Sequence, residues 1–227
     1  MTTVSPPIPT AVVLLGGNTA NVRSLGVLPT NTLVVAADSG TEIARHLGLD
    51  VHAVVGDMDS ITPTALAALA ALGTDIVRHP ADKNESDTEL ALRYAIERGA
   101  QRIVLVSGGG GRLDHQLALF AVMFIDGLRE AHVEARLAES RAYAVRDGGS
   151  VTLRCNPGDV IGLLPFGGDA HGITTSSLQW PLSNESLYVA ASRGISNRAI
   201  SDEVTIAVAS GRLIVTVDSP DDKEVRP

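Results

Sequence analysis

An alternation running from Ala11 to Ala138 constrains the fold most: short β-branched runs separated by stretches of helical period. The runs are AVVLL (11–15), TLVVAA (32–37), HAVVG (52–56), DIVR (75–78), RIVLVS (102–107) and VEARLA (133–138). Between them, residues 41–47, 63–72, 87–98 and 113–129 carry helical spacing. Ser86 stands at the N-cap position of the third helix, with Glu89 three residues on as in a capping box. Strands alternating with helices predict a mainly parallel sheet covered on both faces. Sheets of that kind bind ligands beyond the carboxyl ends of their strands.

After ESRAYAVRDGGS (139–150), which reads as a polar connection, the pattern changes. VTLRC (151–155), DVIGLLPF (159–166), SLYVAAS (186–192), VTIAVAS (204–210) and RLIVTVD (212–218) are short strands separated by turn residues, with no helix between them. The chain thus predicts an α/β domain over 11–139 followed by an all-β sandwich domain over 148–218. VTIAVASGRLIVTV reads as a hairpin turning at Ser210 and Gly211. The first ten residues, MTTVSPPIPT, lack the charge and apolar run of a secretory signal and are expected to form a loose tail, as is the charged end DSPDDKEVRP.

Charge and cysteine content narrow the function. With 18 Lys+Arg against 26 Asp+Glu the net charge is −8, which argues against a surface that holds nucleic acid by counterion release. No apolar run approaches the length of a membrane span, so no membrane partner is expected. Cys155 is the sole cysteine, which excludes a disulfide framework or thiolate zinc cluster and fits a cytoplasmic location. A small core residue on a strand is the expected role for it.

Four polar clusters fall at strand ends or helix starts: ADSG (37–40), GDMDS (56–60), DKNESD (82–87) and SGGGGRLDH (107–115). One aspartate at a strand end is ordinarily a turn or cap residue. Asp38, Asp57, Asp59 and Asp87 converging on one rim would repel by about 4 kcal/mol per pair at 4 Å and an effective dielectric near 20, which calls for a cation. Carboxylates without histidine or cysteine suit magnesium shared with substrate phosphates. An EF-hand is excluded, because DMDSITPTALAA lacks the glycine at loop position six and the glutamate at position twelve.

The run GGGGR presents backbone amides leading into a helix N-terminus, a favourable place for anions, and Arg112 can grip phosphate oxygens. It matches neither GxxxxGK[ST] nor GxGxxG. A Ser-His-Asp hydrolase built on Asp114 and His115 lacks GxSxG, and adjacent helical residues point in different directions.

Taken in order, AADSG, VVGDMDSI, DKNESDTELAL, SGGGGRLDH, SSLQWPL and GISN resemble the thiamine pyrophosphokinase (thiamine diphosphokinase) family over about residues 11–217. The resemblance implies an N-terminal catalytic domain that binds nucleotide and metal, a C-terminal β-sandwich that binds thiamine, and a homodimer with active sites between subunits. It also implies transfer of the pyrophosphoryl group of ATP to thiamine, giving thiamine diphosphate and AMP, with Mg2+. By position, Asp57, Asp59 and Asp87 correspond to the magnesium and phosphate carboxylates, with Asp38 and Ser39 beside them, and Lys83 to a polar residue at the reacting centre. Gly109, Gly110, Arg112, Asp114 and His115 would line the nucleotide pocket, and Trp180, Ser196 and Asn197 the thiamine side. Three positions depart from the family pattern: Asn84 for aspartate, Ser86 for threonine and Ser177 for glycine.

Two rival readings stay open on the residues alone. One keeps the chemistry and changes the acceptor to another hydroxyalkyl heterocycle such as a pterin; the other is a nucleotide or thiamine-phosphate binding protein without turnover.

Overall fold

The computed structural model describes residues 9–23, 25, 27–128 and 131–219. Most of both expected tails, and Arg129 at the end of the fourth expected helix, therefore lie outside the described residues. Contacts divide the chain into two compact units, Met1–Ala138 and Glu139–Pro227.

The first unit is an α/β layer structure. Its strands are β1 (Thr10–Leu14), β2 (Leu33–Ala37), β3 (Ala53–Gly56), β4 (Asp75–Arg78), β5 (Arg102–Ser107) and β6 (His132–Leu137), paired in parallel in the order β6-β5-β1-β2-β3-β4. The chain builds outward from β1 in one direction through β4 and then crosses to β5 on its other side. Strand order thus reverses between β1 and β5, and the carboxyl ends of these two strands splay their connections apart into a crevice.

The helices are α1 (Gly40–Leu47), α2 (Pro63–Ala71), α3 (Asp87–Glu97) and α4 (Leu113–Val122). Ile43 and Ala44 of α1 pack on Val12, Leu14, Val34, Val104 and Val106 of the sheet. Helix α3 buries Ala91, Leu92 and Ala95 and packs on β1, β2 and β3. Its far end is tied to the edge strand: the Tyr94 hydroxyl donates to Asp75 Oδ2 at 2.8 Å, and the Arg98 guanidinium lies 3.4 Å over the Tyr94 ring. Burial, reinforced by that hydrogen bond, pushes the Tyr94 hydroxyl up to about 12.

Only half of the expected capping box forms. The Ser86 hydroxyl accepts from Glu89 N–H at 3.2 Å, but the Glu89 carboxylate turns outward and binds Arg93, one turn further on, at 2.7 and 2.9 Å. Replacing Ser86 by alanine should therefore cost about 1 kcal/mol, a drop of about 3 °C in melting temperature by calorimetry. Helix α4 stops at Val122, short of the expected 129, because the chain leaves helical geometry to bury Met123, Phe124 and Leu128 in successive turns.

The second unit is an antiparallel sandwich. One sheet holds β7 (Ser140–Val145), β9 (Val160–Pro165), β12 (Asn197–Arg198) and β14 (Leu213–Asp218), ordered β12-β9-β14-β7. The other holds β8 (Ser150–Arg154), β10 (Ala170–Ser176), β11 (Glu185–Leu187) and β13 (Glu203–Ala207), ordered β11-β10-β13-β8. Leu153, Ile161, Leu163, Ile173, Leu187, Val204, Ile206, Leu213 and Val215 form the core between them.

Three expectations are corrected here. The connection ESRAYAVRDGGS contains β7, in which Arg141 disguises a strand defined by pairing with β14 from Ser140–Asp218 to Val145–Leu213. VTIAVASGRLIVTV is not a hairpin: β13 pairs with β8 and β10, whereas β14 pairs with β7 and β9. Val204, Ile206 and Val208 on one arm and Leu213, Val215 and Val217 on the other all enter the same core, so the Ser210–Gly211 turn carries the chain across it from one sheet to the other. In SLYVAAS only Ser186 and Leu187 are in strand; Tyr188 and Val189 are exposed, and Ala191 N–H closes a turn on Tyr188 C=O.

Candidate active site

The first unit places its polar clusters around the reversal between β1 and β5. A cavity of about 410 Å3 opens there, lined by Gly16 and Gly17 after β1, Asp38 and Ser39 after β2, Asp87 at the start of α3, and Gly109 to Arg112 between β5 and α4. His115, Gln116, Leu119, Phe120 and Leu137 complete an apolar flank with two polar side chains. Ser107 fastens the glycine run to the end of β1: its hydroxyl donates to Gly16 C=O at 2.7 Å and accepts from Gly109 N–H at 3.2 Å. Gly109, Gly110 and Gly111 all have φ between 68° and 76°, a left-handed succession that side chains would disfavour. Ser39 occupies the N-cap position of α1 without its side chain capping the helix, and Arg112 does the same for α4. Two helix N-termini and a run of glycine amides thus border one cavity, an arrangement suited to phosphate.

The carboxylates meet beside this cavity. Asp38, Asp57 and Asp59 each offer an oxygen within 4.8 Å of the others. The local chain explains how: Met58 adopts φ 68° and buries its side chain among Ala36, Val54 and Ile61, so the flanking aspartates leave the strand end together. Asp57 Oδ1 accepts from Asp59 N–H at 3.0 Å, and this bond, with Lys83 nearby, holds the Asp57 carboxyl below its ordinary range. Lys83, 12% exposed in its side chain, lies 3.6 Å from Asp57 Oδ2 and 3.1 Å from Asp87 Oδ1. Burial, the largest single influence on Lys83, opposes its charge, but hydrogen bonding and attraction from Asp87 and Asp57 outweigh it and its pKa ends above the ordinary value. At Asp87 burial prevails, raising its carboxyl more than Lys83 lowers it.

Gly56 shows how closely these groups pack. At φ 150° it passes directly under Asp87, and a Cβ there would stand 3.0 Å from Asp87 Oδ1, 3.1 Å from its Cγ and 3.3 Å from Asp38 Cβ.

These residues fit a hard cation. Among the described residues, Asp38 Oδ1 is buried with no hydrogen-bond partner, and Asp87 Oδ1, equally buried, has the Lys83 ammonium 3.1 Å away. A buried carboxylate oxygen without a partner costs on the order of 1–3 kcal/mol, and the ammonium beside the cluster, Lys83, pairs with Asp57 and Asp87. The donor set is all oxygen, as magnesium prefers.

Asp114 stands apart from the carboxylates: it is exposed and pairs with Arg112 at 2.6 Å, a contact that lowers the Asp114 carboxyl and raises the guanidinium. Trp180, Ser196 and Asn197 lie in the second unit, where Asn197 binds the Trp180 backbone on both sides. Sequence reasoning missed Gly16 and Gly17, although a glycine pair directly after an apolar strand was a readable signal. It also missed Gln116, Leu119, Phe120 and Leu137, which carried none.

Comparison with known proteins agrees with this geometry. Residues 26–133 match the family model described as thiamin pyrophosphokinase, catalytic domain, and residues 150–213 the model described as thiamin pyrophosphokinase, vitamin B1 binding domain. The thiamine pyrophosphokinase of Bacillus subtilis is 26% identical over 192 residues, which span 84% of this chain and 89% of that protein. Thiamine pyrophosphokinase 1 of Oryza sativa subsp. japonica is 26% identical over 175 residues, 69% of this chain and 61% of that protein. The crystal structure of thiamine pyrophosphokinase from Bacillus subtilis superposes with a TM-score of 0.81 at 24% identity, covering 92% of this chain and 99% of that one. The two family models together span well over half of the sequence, and the chain belongs to the thiamine pyrophosphokinase family.

Proposed function

We propose that this protein transfers the pyrophosphoryl group of ATP to the hydroxyl of thiamine, giving thiamine diphosphate and AMP. The observation that carries the reading is the meeting of Asp38, Asp57, Asp59 and Asp87 beside a cavity bordered by glycine amides and two helix N-termini. In this reading the amides of Gly109 to Gly111 and Arg112 bind phosphate oxygens, and Leu119, Phe120 and Leu137 take the apolar base. Asp38, Asp57 and Asp59 would hold Mg2+, with Asp87 adjoining; the ion, when bound, neutralises phosphate charge.

The thiamine oxygen forms a bond to the β-phosphorus as the bond from that phosphorus to the α,β-bridging oxygen breaks, and AMP departs with the bridging oxygen. Asp87, which lines the cavity and has a carboxyl raised by burial, takes the hydroxyl proton. Lys83, held by Asp57 and Asp87, presents positive charge to the phosphates as charge shifts toward AMP. Trp180 and Ser196 serve the acceptor. Positioning and fixed charges carry most of the rate.

We propose further that the protein is a homodimer and works in the cytoplasm, a setting consistent with a single, buried cysteine. No helix among the described residues is long and apolar enough to cross a membrane.

The deciding experiment is AMP release from ATP with and without thiamine, with mass detection of product. AMP and thiamine diphosphate should appear in equal amounts, only with both substrates, and chelation of divalent cations should stop both. Absence of thiamine-dependent product in a folded protein that binds magnesium ATP would overturn the acceptor assignment.

A further inference from the structure

Asn197 is almost wholly buried, at 6% exposure, and two of its three side-chain hydrogen bonds go to Trp180. Its Oδ1 accepts from Trp180 N–H at 3.1 Å and from Arg198 N–H at 2.8 Å, while its Nδ2 donates to Trp180 C=O at 2.7 Å. Rotating the amide would set an NH2 group against two N–H donors, so the bonding pattern fixes the orientation. Both lone pairs of Oδ1 are used, and the amide grips Trp180 as a strand neighbour would.

The surrounding backbone extends that grip. Gln179 N–H donates to Arg198 C=O and Ile200 N–H to Ser177 C=O, both at 2.9 Å, and Leu178 bridges to Ala199. Leu178 and Leu182 are buried on either side of Trp180, and Pro181 fixes its own φ and restricts the backbone of Trp180, the residue before it. Ser177 and Ser196 both take left-handed φ near 60° where these segments turn. Despite this anchoring Trp180 is 56% exposed as a residue. An aromatic face held outward on a fixed backbone is a mount for a planar cationic heterocycle.

We infer that Asn197 is a positioning residue for the acceptor: it acts through Trp180, holding the indole in place, and does not bind the acceptor itself. This rests on the pyrophosphokinase reading above, with a cationic heteroaromatic acceptor stacked on the indole.

Trp180 is the sole tryptophan, so intrinsic fluorescence reports on it alone. The test combines time-resolved anisotropy of the ligand-free protein with steady-state kinetics of wild type, Asn197→Ala, Trp180→Ala and the double variant. Asn197→Ala should free fast local motion of the indole and raise KM for thiamine about 5- to 30-fold, the range of an aromatic–cation contact, while kcat changes less than about threefold. The double variant should be no worse than Trp180→Ala. Unchanged anisotropy with a raised KM would mean that Asn197 meets the acceptor directly and would overturn the inference. So would additive losses in the double variant, or an unchanged KM in Trp180→Ala.

If Asn197→Ala fails to fold, Asn197→Asp replaces it. That variant keeps both acceptor bonds but sets a carboxylate oxygen against Trp180 C=O. A loosened indole and a partial rise in KM support the inference; neither change overturns it. A wild-type protein that makes no thiamine diphosphate fails the functional reading, and the anisotropy of Asn197→Asp still decides whether Asn197 holds Trp180.

Discussion

Replacing Asp59 by asparagine is expected to abolish thiamine-dependent AMP release, lowering kcat by at least about 10²- to 10³-fold, the loss typical when one preorganised charge-stabilising group is removed. The fold should survive. Asp59 is exposed and its side-chain neighbours are Ser60, one residue on, and the other two carboxylates of the cluster. Its carboxylate lies within 4.8 Å of two like charges, whose repulsion solvent screens in part because Asp59 is exposed. Removing one charge relieves that repulsion, so the melting temperature in metal-free buffer should hold or rise. Wild-type protein should gain stability on adding magnesium, by about 2.7 kcal/mol at a hundred times Kd, and the variant should gain much less. Calorimetry with and without magnesium, beside the AMP assay, checks both; wild-type turnover in the variant would remove Asp59 from the metal site.

The largest stability effect is expected at Leu92, fully buried on the sheet-facing side of α3. Leu92→Ala should cost about 2–5 kcal/mol through lost burial and the cavity left behind. In a unit of this size that is a fall of about 6–15 °C in melting temperature. Leu72, after α2, is 83% exposed, and Leu72→Ala should stay within about 0.5 kcal/mol of wild type. Parallel denaturant titrations compare the two. Equal effects would mean that α3 is not packed as described.

The first unit was legible because its central strands are buried on both faces. Ala11 to Leu14, Val34 to Ala37 and Ile103 to Val106 read as continuous apolar runs, and each became a strand of the parallel sheet. Local signals failed where a distant partner decided the outcome. Arg141 and Tyr143 make β7 look like a connection until β14 pairs with it, and the glycine in AHGITTS concealed β10. The hairpin reading of β13 and β14 followed turn chemistry correctly but could not see that both arms point into one core. At the site, charges at strand ends were visible one by one in the sequence. That Met58 turns left-handed to direct its two neighbours, and that Asn197 serves Trp180, is decided by tertiary packing that no local pattern carries.

The sheet-crossing turn also bears on how the protein is made. Strand β14 lies between β7 and β9, so the middle of its sheet is supplied by the segment that leaves the ribosome last among the described strands. The parallel sheet of the first unit has all six strands once Leu137 has been synthesised, and can fold while the rest of the chain is still being translated. The sandwich must wait for Asp218, more than seventy residues after the strand β7 that β14 joins, and a message cut short within β14 would yield a finished catalytic unit beside a sandwich with no centre.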